Sequence, residues 1–121
     1  MAYVLFVEDD PSQLYSGGRI LSSEGHSVRL ACDGLEALSL LEEQGAQIIC
    51  TDFDMPNMDG FELATAIRTE ERYRRYSKIP IIGVGCFPLN RRTPLTQYLG
   101  KPFMVEELLS CVTKHCKQLG A

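Results

Sequence analysis

Short apolar runs alternate with amphipathic segments along this chain, and that alternation predicts its elements. Tyr3-Val4-Leu5-Phe6-Val7 is almost wholly apolar and made of β-formers, as a strand buried on both faces of a parallel sheet requires. It runs into Glu8-Asp9-Asp10. Asp10-Pro11 has the form of a helix N-cap followed by proline at the first helical position, which predicts a helix to about Glu24. Gly17-Gly18 weakens that helix by roughly 1 kcal/mol per glycine, a cost that close packing on a sheet would explain. Gly25 closes the helix, Ser27 to Ala31 reads as a second strand, and Asp33-Gly34 as a turn.

Leu35, Leu38 and Leu41, with Ala37, form the apolar face of a second helix that Gly45 ends. Ile48-Ile49-Cys50-Thr51-Asp52 is a third strand, stopped by a segment carrying Pro56 and Asp59-Gly60 that must be an exposed loop. A third helix is predicted from about Phe61 to Arg72, with Phe61, Leu63, Ala64 and Ile67 as its apolar positions. Ile79 to Gly85 is a fourth strand. Residues 87–96 hold two prolines and no helical period, so a loop or one distorted turn is expected there. Gln97 to Gly100 is a short fifth strand before Lys101-Pro102, and Val105, Leu108, Leu109, Val112 and Cys116 mark the last helix.

Strands alternating with helices imply right-handed crossovers and an α/β domain with a parallel sheet covered on both faces. Five strands fit a flavodoxin-like, doubly wound order 2-1-3-4-5, one domain over residues 1–121. Ligands of such sheets bind where the strand order reverses, between strands 1 and 3 at their carboxyl ends. Here those two strands end in Glu8-Asp9-Asp10 and in Asp52.

Composition narrows the reading without redirecting it. With 121 residues, 45% hydrophobic and 23% charged, the chain has the make-up of one globular domain. No apolar run approaches the length of a spanning helix, and the chain enters directly into a strand, so a cytoplasmic protein with no membrane contact is expected. A net charge of -4 argues against nucleic acid as a direct partner. Arg68, Arg72, Arg74, Arg75 and Lys78 form a local basic cluster, read as a solvated helix end. The five cysteines are odd in number and lack metal-ligand spacing. Cys50 and Cys86 read as small core residues, and Cys111 and Cys116 beside His115 fall on different faces of a helix.

Several carboxylates at one solvated sheet edge repel one another, and either hold protons or bind a cation. Hard oxygen donors with no histidine favour Mg²⁺, which keeps several waters that phosphate oxygens can displace. Asp52 is then a candidate phosphoryl acceptor, and Lys101, leaving the fifth strand, can supply a point charge at the same edge.

Glu8-Asp9-Asp10, Asp52-x-x-Met55-Pro56-x-Met58-Asp59-Gly60 and Lys101-Pro102-Phe103, in that order, resemble the receiver domain of two-component response regulators. The resemblance covers essentially the whole chain. It implies Asp52 as phosphorylation site and Glu8 and Asp9 as the acidic pair. Mg²⁺ would be held by Asp9, Asp52 and the backbone carbonyl of Asp54, and Lys101 would contact the phosphoryl group. A histidine kinase or phosphotransfer protein would be the donor, and the domain would catalyse only chemistry at its own Asp52. The third helix and its polar tail are similar to receivers attached to hybrid histidine kinases, and a stand-alone receiver fits the length equally well.

Two departures from the family pattern stand out. Gly85 occupies the usual Thr/Ser position at the end of strand 4, which forfeits a charged hydrogen bond worth about 1.5 to 3 kcal/mol. Tyr98 matches the aromatic position that moves with that hydroxyl, and it reads either as a switch or as a packed strand residue. From Gly85 to Lys101 the chain is also short, which predicts that helix 4 of the family is shortened or lost. The face of helix 4, strand 5 and helix 5, by which a downstream protein would be contacted, would then be altered, with Asn90, Arg91 and Arg92 offered instead. Both departures suit an alternative: a degenerate receiver that acts as a phosphorylation-independent interaction module. Asp52-Phe53-Asp54 also resembles the nucleophile motif of haloacid-dehalogenase-type phosphatases, but that family's first-strand placement and catalytic length are missing.

Overall fold

The computed structural model describes residues 3–85, 94–100 and 105–118. Its elements are β1 (Tyr3–Val7), α1 (Pro11–Ser23), β2 (Ser27–Ala31), α2 (Gly34–Gln44), β3 (Ile48–Asp52), α3 (Gly60–Thr69), a 3-10 helix (Glu71–Tyr76), β4 (Ile81–Val84), β5 (Gln97–Leu99) and α4 (Val105–Gln118). The five strands are parallel and ordered β2-β1-β3-β4-β5, the doubly wound arrangement expected. Residues 86–93 and 101–104 lie outside the described residues. With them lie the expectations for helix 4, for Cys86, for Asn90, Arg91 and Arg92, and for Lys101-Pro102-Phe103.

Alternation along the strands feeds two cores. Leu5, Val7, Ile49 and Ile81 join Leu38, Leu41, Leu63 and Ile67 beneath α2 and α3. Val4, Phe6, Ile48, Cys50 and Ile82 join Leu14, Leu21, Leu108 and Val112 beneath α1 and α4. Each fully buried Leu, Ile or Val contributes about 1.5–3 kcal/mol, so burial on both faces explains why the strands are almost continuously apolar.

The paired glycines of α1 have a packing cause. A Cβ on Gly17 would lie 2.5 Å from the Phe6 ring, and one on Gly18 would lie 2.8 Å from Leu30, so the helix seats directly on β1 and β2. All three helix starts after the first strands are capped. Asp10, Asp33 and Asp59 accept from Ser12, Glu36 and Glu62 backbone N–H groups, and Asp59 with Glu62 completes a capping box. Asp33-Gly34 is thus a helix entry and not a free turn.

Three expectations are corrected. Leu35 is 53% exposed, because the buried arc of α2 runs through Gly34, Ala37, Leu38 and Leu41. The third helix stops at Thr69, where Glu70 takes an extended backbone, and the chain re-enters as a 3-10 helix that buries Tyr73. Strand 4 is shorter than expected, covering Ile81–Val84. Cys111 and Cys116 are both buried in the core beneath α4, where His115 is also buried and bonds Gln97 Oε1 at 2.8 Å, and among the described residues these three form no metal-holding group.

Arg68 departs furthest from its reading as part of a solvated basic cluster. Its guanidinium is half-buried and donates to the carbonyls of Pro94 (3.0 Å), Ser77 (3.0 Å) and Ile79 (2.6 Å), and to Thr96 Oγ1 (3.1 Å). It ties the end of α3 to the entries of β4 and β5. Arg72 and Arg74 are exposed as expected, paired with Glu42 and Glu71.

Candidate functional site

The switch point lies between β1 and β3, whose register runs from Val4 opposite Ile48 to Val7 opposite Thr51. One residue further on, Glu8 and Asp52 leave the sheet side by side, with Asp9 following. A carboxylate oxygen from each of Glu8, Asp9 and Asp52 lies within 4.8 Å of the others. They differ in setting: Glu8 is buried at 4% exposure, Asp52 is half-buried and Asp9 is exposed. Asp10, the fourth acid here, is spent on capping α1, and its own N–H donates to Glu8 Oε1 at 3.3 Å.

Backbone and hydroxyl donors hold the tip of β3. Thr51, fully buried, donates its hydroxyl to the Asp52 carbonyl at 2.9 Å, and the Phe53 N–H donates to Asp52 Oδ1 at 2.9 Å. The loop that follows is closed by Gly60 N–H donating to the Phe53 carbonyl at 2.8 Å. Asp54 is exposed within that loop.

Three clustered carboxylates at a half-exposed rim are an oxygen-only donor set, which suits a hard divalent cation with waters completing its shell. The residues present therefore fit Mg²⁺. Lys101 is outside the described residues, and its position relative to Asp52 is not part of the geometry above.

β3 pairs with β4 so that Asp52 faces Val84, which places Gly85 one residue past the strand end. Gly85 has φ of 113°, a conformation that favours glycine. Its N–H donates to the Leu99 carbonyl at 3.0 Å, and its carbonyl accepts from the hydroxyl of half-buried Tyr98. Tyr98 thus finds a backbone partner at the very position where the usual side-chain hydroxyl is missing.

Sequence reasoning missed the contact between Asp33 and Asn57, whose side chains bond at 2.9 Å across the rim. The signal available was Asn57 itself, a residue type that tolerates positive φ, ahead of Met58-Asp59-Gly60.

A doubly wound parallel sheet with three acids gathered where its order reverses defines a receiver-type domain. The response regulator receiver domain matches residues 4–88, and the chain belongs to that family. It is 32% identical over 119 residues to an uncharacterized 14.6 kDa protein of Leptolyngbya boryana, spanning 93% of this chain and 88% of that one. It is 33% identical over 118 residues to the response regulator MprA of a Mycobacterium species, spanning 88% of this chain but only 47% of MprA. Among solved structures it superimposes on chemotaxis protein CheY4 of Vibrio cholerae with a TM-score of 0.81 at 31% identity, covering 94% of this chain and 98% of that one. No helix among the described residues is long and apolar enough to cross a membrane.

Proposed function

We propose that this receiver takes a phosphoryl group from the phosphohistidine of a histidine kinase or phosphotransfer protein onto Asp52. The observation that carries the reading is the convergence of Glu8, Asp9 and Asp52 oxygens within 4.8 Å at the switch point. Asp52 is the nucleophile, a carboxylate oxygen attacking phosphorus while the donor imidazole leaves, to give an acyl phosphate. Glu8, Asp9, Asp52 and the Asp54 backbone carbonyl would hold Mg²⁺. That cation would neutralise charge building on the phosphoryl oxygens. Lys101 would add a second positive charge on the phosphoryl group. The Phe53 N–H bond and the Thr51 hydroxyl bond fix the direction in which Asp52 leaves β3. Chemistry is confined to this one side chain, including the later hydrolysis, and the protein acts in the cytoplasm. Phosphotransfer from a panel of kinases onto wild type and Asp52→Asn tests this. Label that is absent from every wild-type reaction, or that persists in Asp52→Asn, refutes it.

A second reading, a degenerate receiver whose contacts do not depend on phosphorylation, is favoured by one observation. Tyr98 is tied to the Gly85 carbonyl, at a position with no side chain to respond to a phosphoryl group. A beryllofluoride titration followed by NMR separates the two. Shifts reaching Tyr98 support a switch, whereas shifts confined to residues around Asp52 support the degenerate module. The downstream protein would be met through the altered face beside β5.

A further inference from the structure

The loop between β3 and α3 contains a positive-φ turn that the start of α2 braces. Met58 N–H donates to the Pro56 carbonyl at 2.7 Å, and Asn57 between them has φ of 68°. That is a γ-turn of the positive-φ kind, which is uncommon and costs backbone energy. Asn57 is alone among the described non-glycine residues in having positive φ.

What holds the turn comes from α2. Asp33 uses Oδ1 to accept the Glu36 N–H at 2.8 Å as N-cap, and Oδ2 to accept from Asn57 Nδ2 at 2.9 Å. Beside it, Gly34 lets the loop press onto the helix start. A Cβ there would lie 2.8 Å from Met58 Cβ and 2.9 Å from the Met58 carbonyl oxygen. At its other end the loop is pinned through Phe53 to Asp52 Oδ1 and to Gly60. Asp54 sits between these two anchors.

We infer that Asp33 and Asn57 are positioning residues for the acidic site, a clamp from the start of α2 that sets where the Asp54 carbonyl lies. The inference rests on the acceptor reading above. Neither residue is among the three acids that gather at the switch point. They act through the loop, and partners of this supporting kind typically change metal affinity by about tenfold or more when lost.

The pair allows a reciprocal swap. In Asp33→Asn the side-chain oxygen still caps Glu36, because Asn and Asp are equivalent caps, and Asn57 keeps a bond to the new amide only by turning its own amide over. In Asn57→Asp two carboxylates face each other. In D33N/N57D the donor and acceptor are exchanged and the bond is restored. Magnesium affinity by calorimetry, and hydrogen exchange of the Met58 and Gly60 amides in metal-free protein, are measured for all four proteins beside thermal melts.

Asn57→Asp is expected to bind magnesium about tenfold more weakly and to exchange both amides faster, Asp33→Asn to fall between it and wild type, and the swap to return both readouts towards wild type. Asn57→Asp that matches wild type in both readouts, or a swap that rescues neither, overturns the clamp. Wild type that takes up no magnesium overturns the acceptor reading and the clamp's role towards the cation together. Wild-type uptake with unmoved variants overturns the clamp alone.

Discussion

Replacing Arg68 by alanine is expected to cost this protein far more than any other exposed-looking cation. Four hydrogen bonds from one guanidinium go to three backbone carbonyls and to Thr96 Oγ1, which itself accepts from the Ile81 N–H at 2.9 Å. No carboxylate is among these partners, so the loss is not that of a screened ion pair but of donors to carbonyls that are part-buried. A carbonyl left without its donor costs about 1–3 kcal/mol when buried. Half-exposure lets water reach some of them, so we take the low end for each of the three and expect about 3 kcal/mol in all. Against a domain stability of about 5–15 kcal/mol, that is a large fraction. Burial also pushes the Arg68 pKa down. Arg68→Lys keeps a charge but has no planar fork to span carbonyls on two sides, and should recover less than half the loss. Urea unfolding gives the magnitude, and hydrogen exchange at Ile81 reports whether the β5 entry loosens. An Arg68→Ala midpoint equivalent to less than about 0.5 kcal/mol, the range of ordinary surface substitutions, would refute this account.

Other expectations follow from burial. Gly17→Ala should destabilise by about 1–2 kcal/mol despite the better helix former, since overpacking against the Phe6 ring outweighs a gain of about 1 kcal/mol; thermal melts decide the sign. With iodoacetamide on the native protein, exposed Cys32 should be alkylated well before Cys50, Cys111 and Cys116, as peptide mass spectrometry would show, because all three are buried and burial pushes the Cys50 thiol up to about 12. Burial lowers the pKa of His26, so the unfolded chain binds the extra proton more readily than the folded one. Stability from this residue is full above the ordinary value of 6.5 and is lost as pH falls below it, and His26→Gln should flatten that part of the profile.

Strands were legible in the sequence because each is a brief apolar run with hard stops, and Tyr3–Val7, Ser27–Ala31 and Ile48–Asp52 lie where the pattern puts them. The sheet order then followed from chain connectivity, and with it the meeting of Glu8 and Asp9 with Asp52. Features that depend on partners distant in the chain were not legible. Nothing local distinguishes Arg68 from Arg72, since what separates them is the carbonyls that β4 and β5 bring. The break at Glu70 has no proline or glycine to announce it, and is driven by burying Tyr73. Leu35 fits a helical apolar stripe, yet that flank of α2 has no covering element among the described residues. The bond between Asp33 and Asn57 joins residues 24 apart, each of which looks like an ordinary turn former.

The strand order has a consequence for when the molecule can work at all. Its three acids come from opposite sides of two crossovers and meet only once β1 has docked beside β3. A chain with its helices formed but those neighbours unzipped would keep an isolated aspartate and lose the charge-dense notch around it. On the proposed function, labelling by a donor would therefore double as a proofreading step, marking intact molecules and passing over damaged ones without any dedicated sensor.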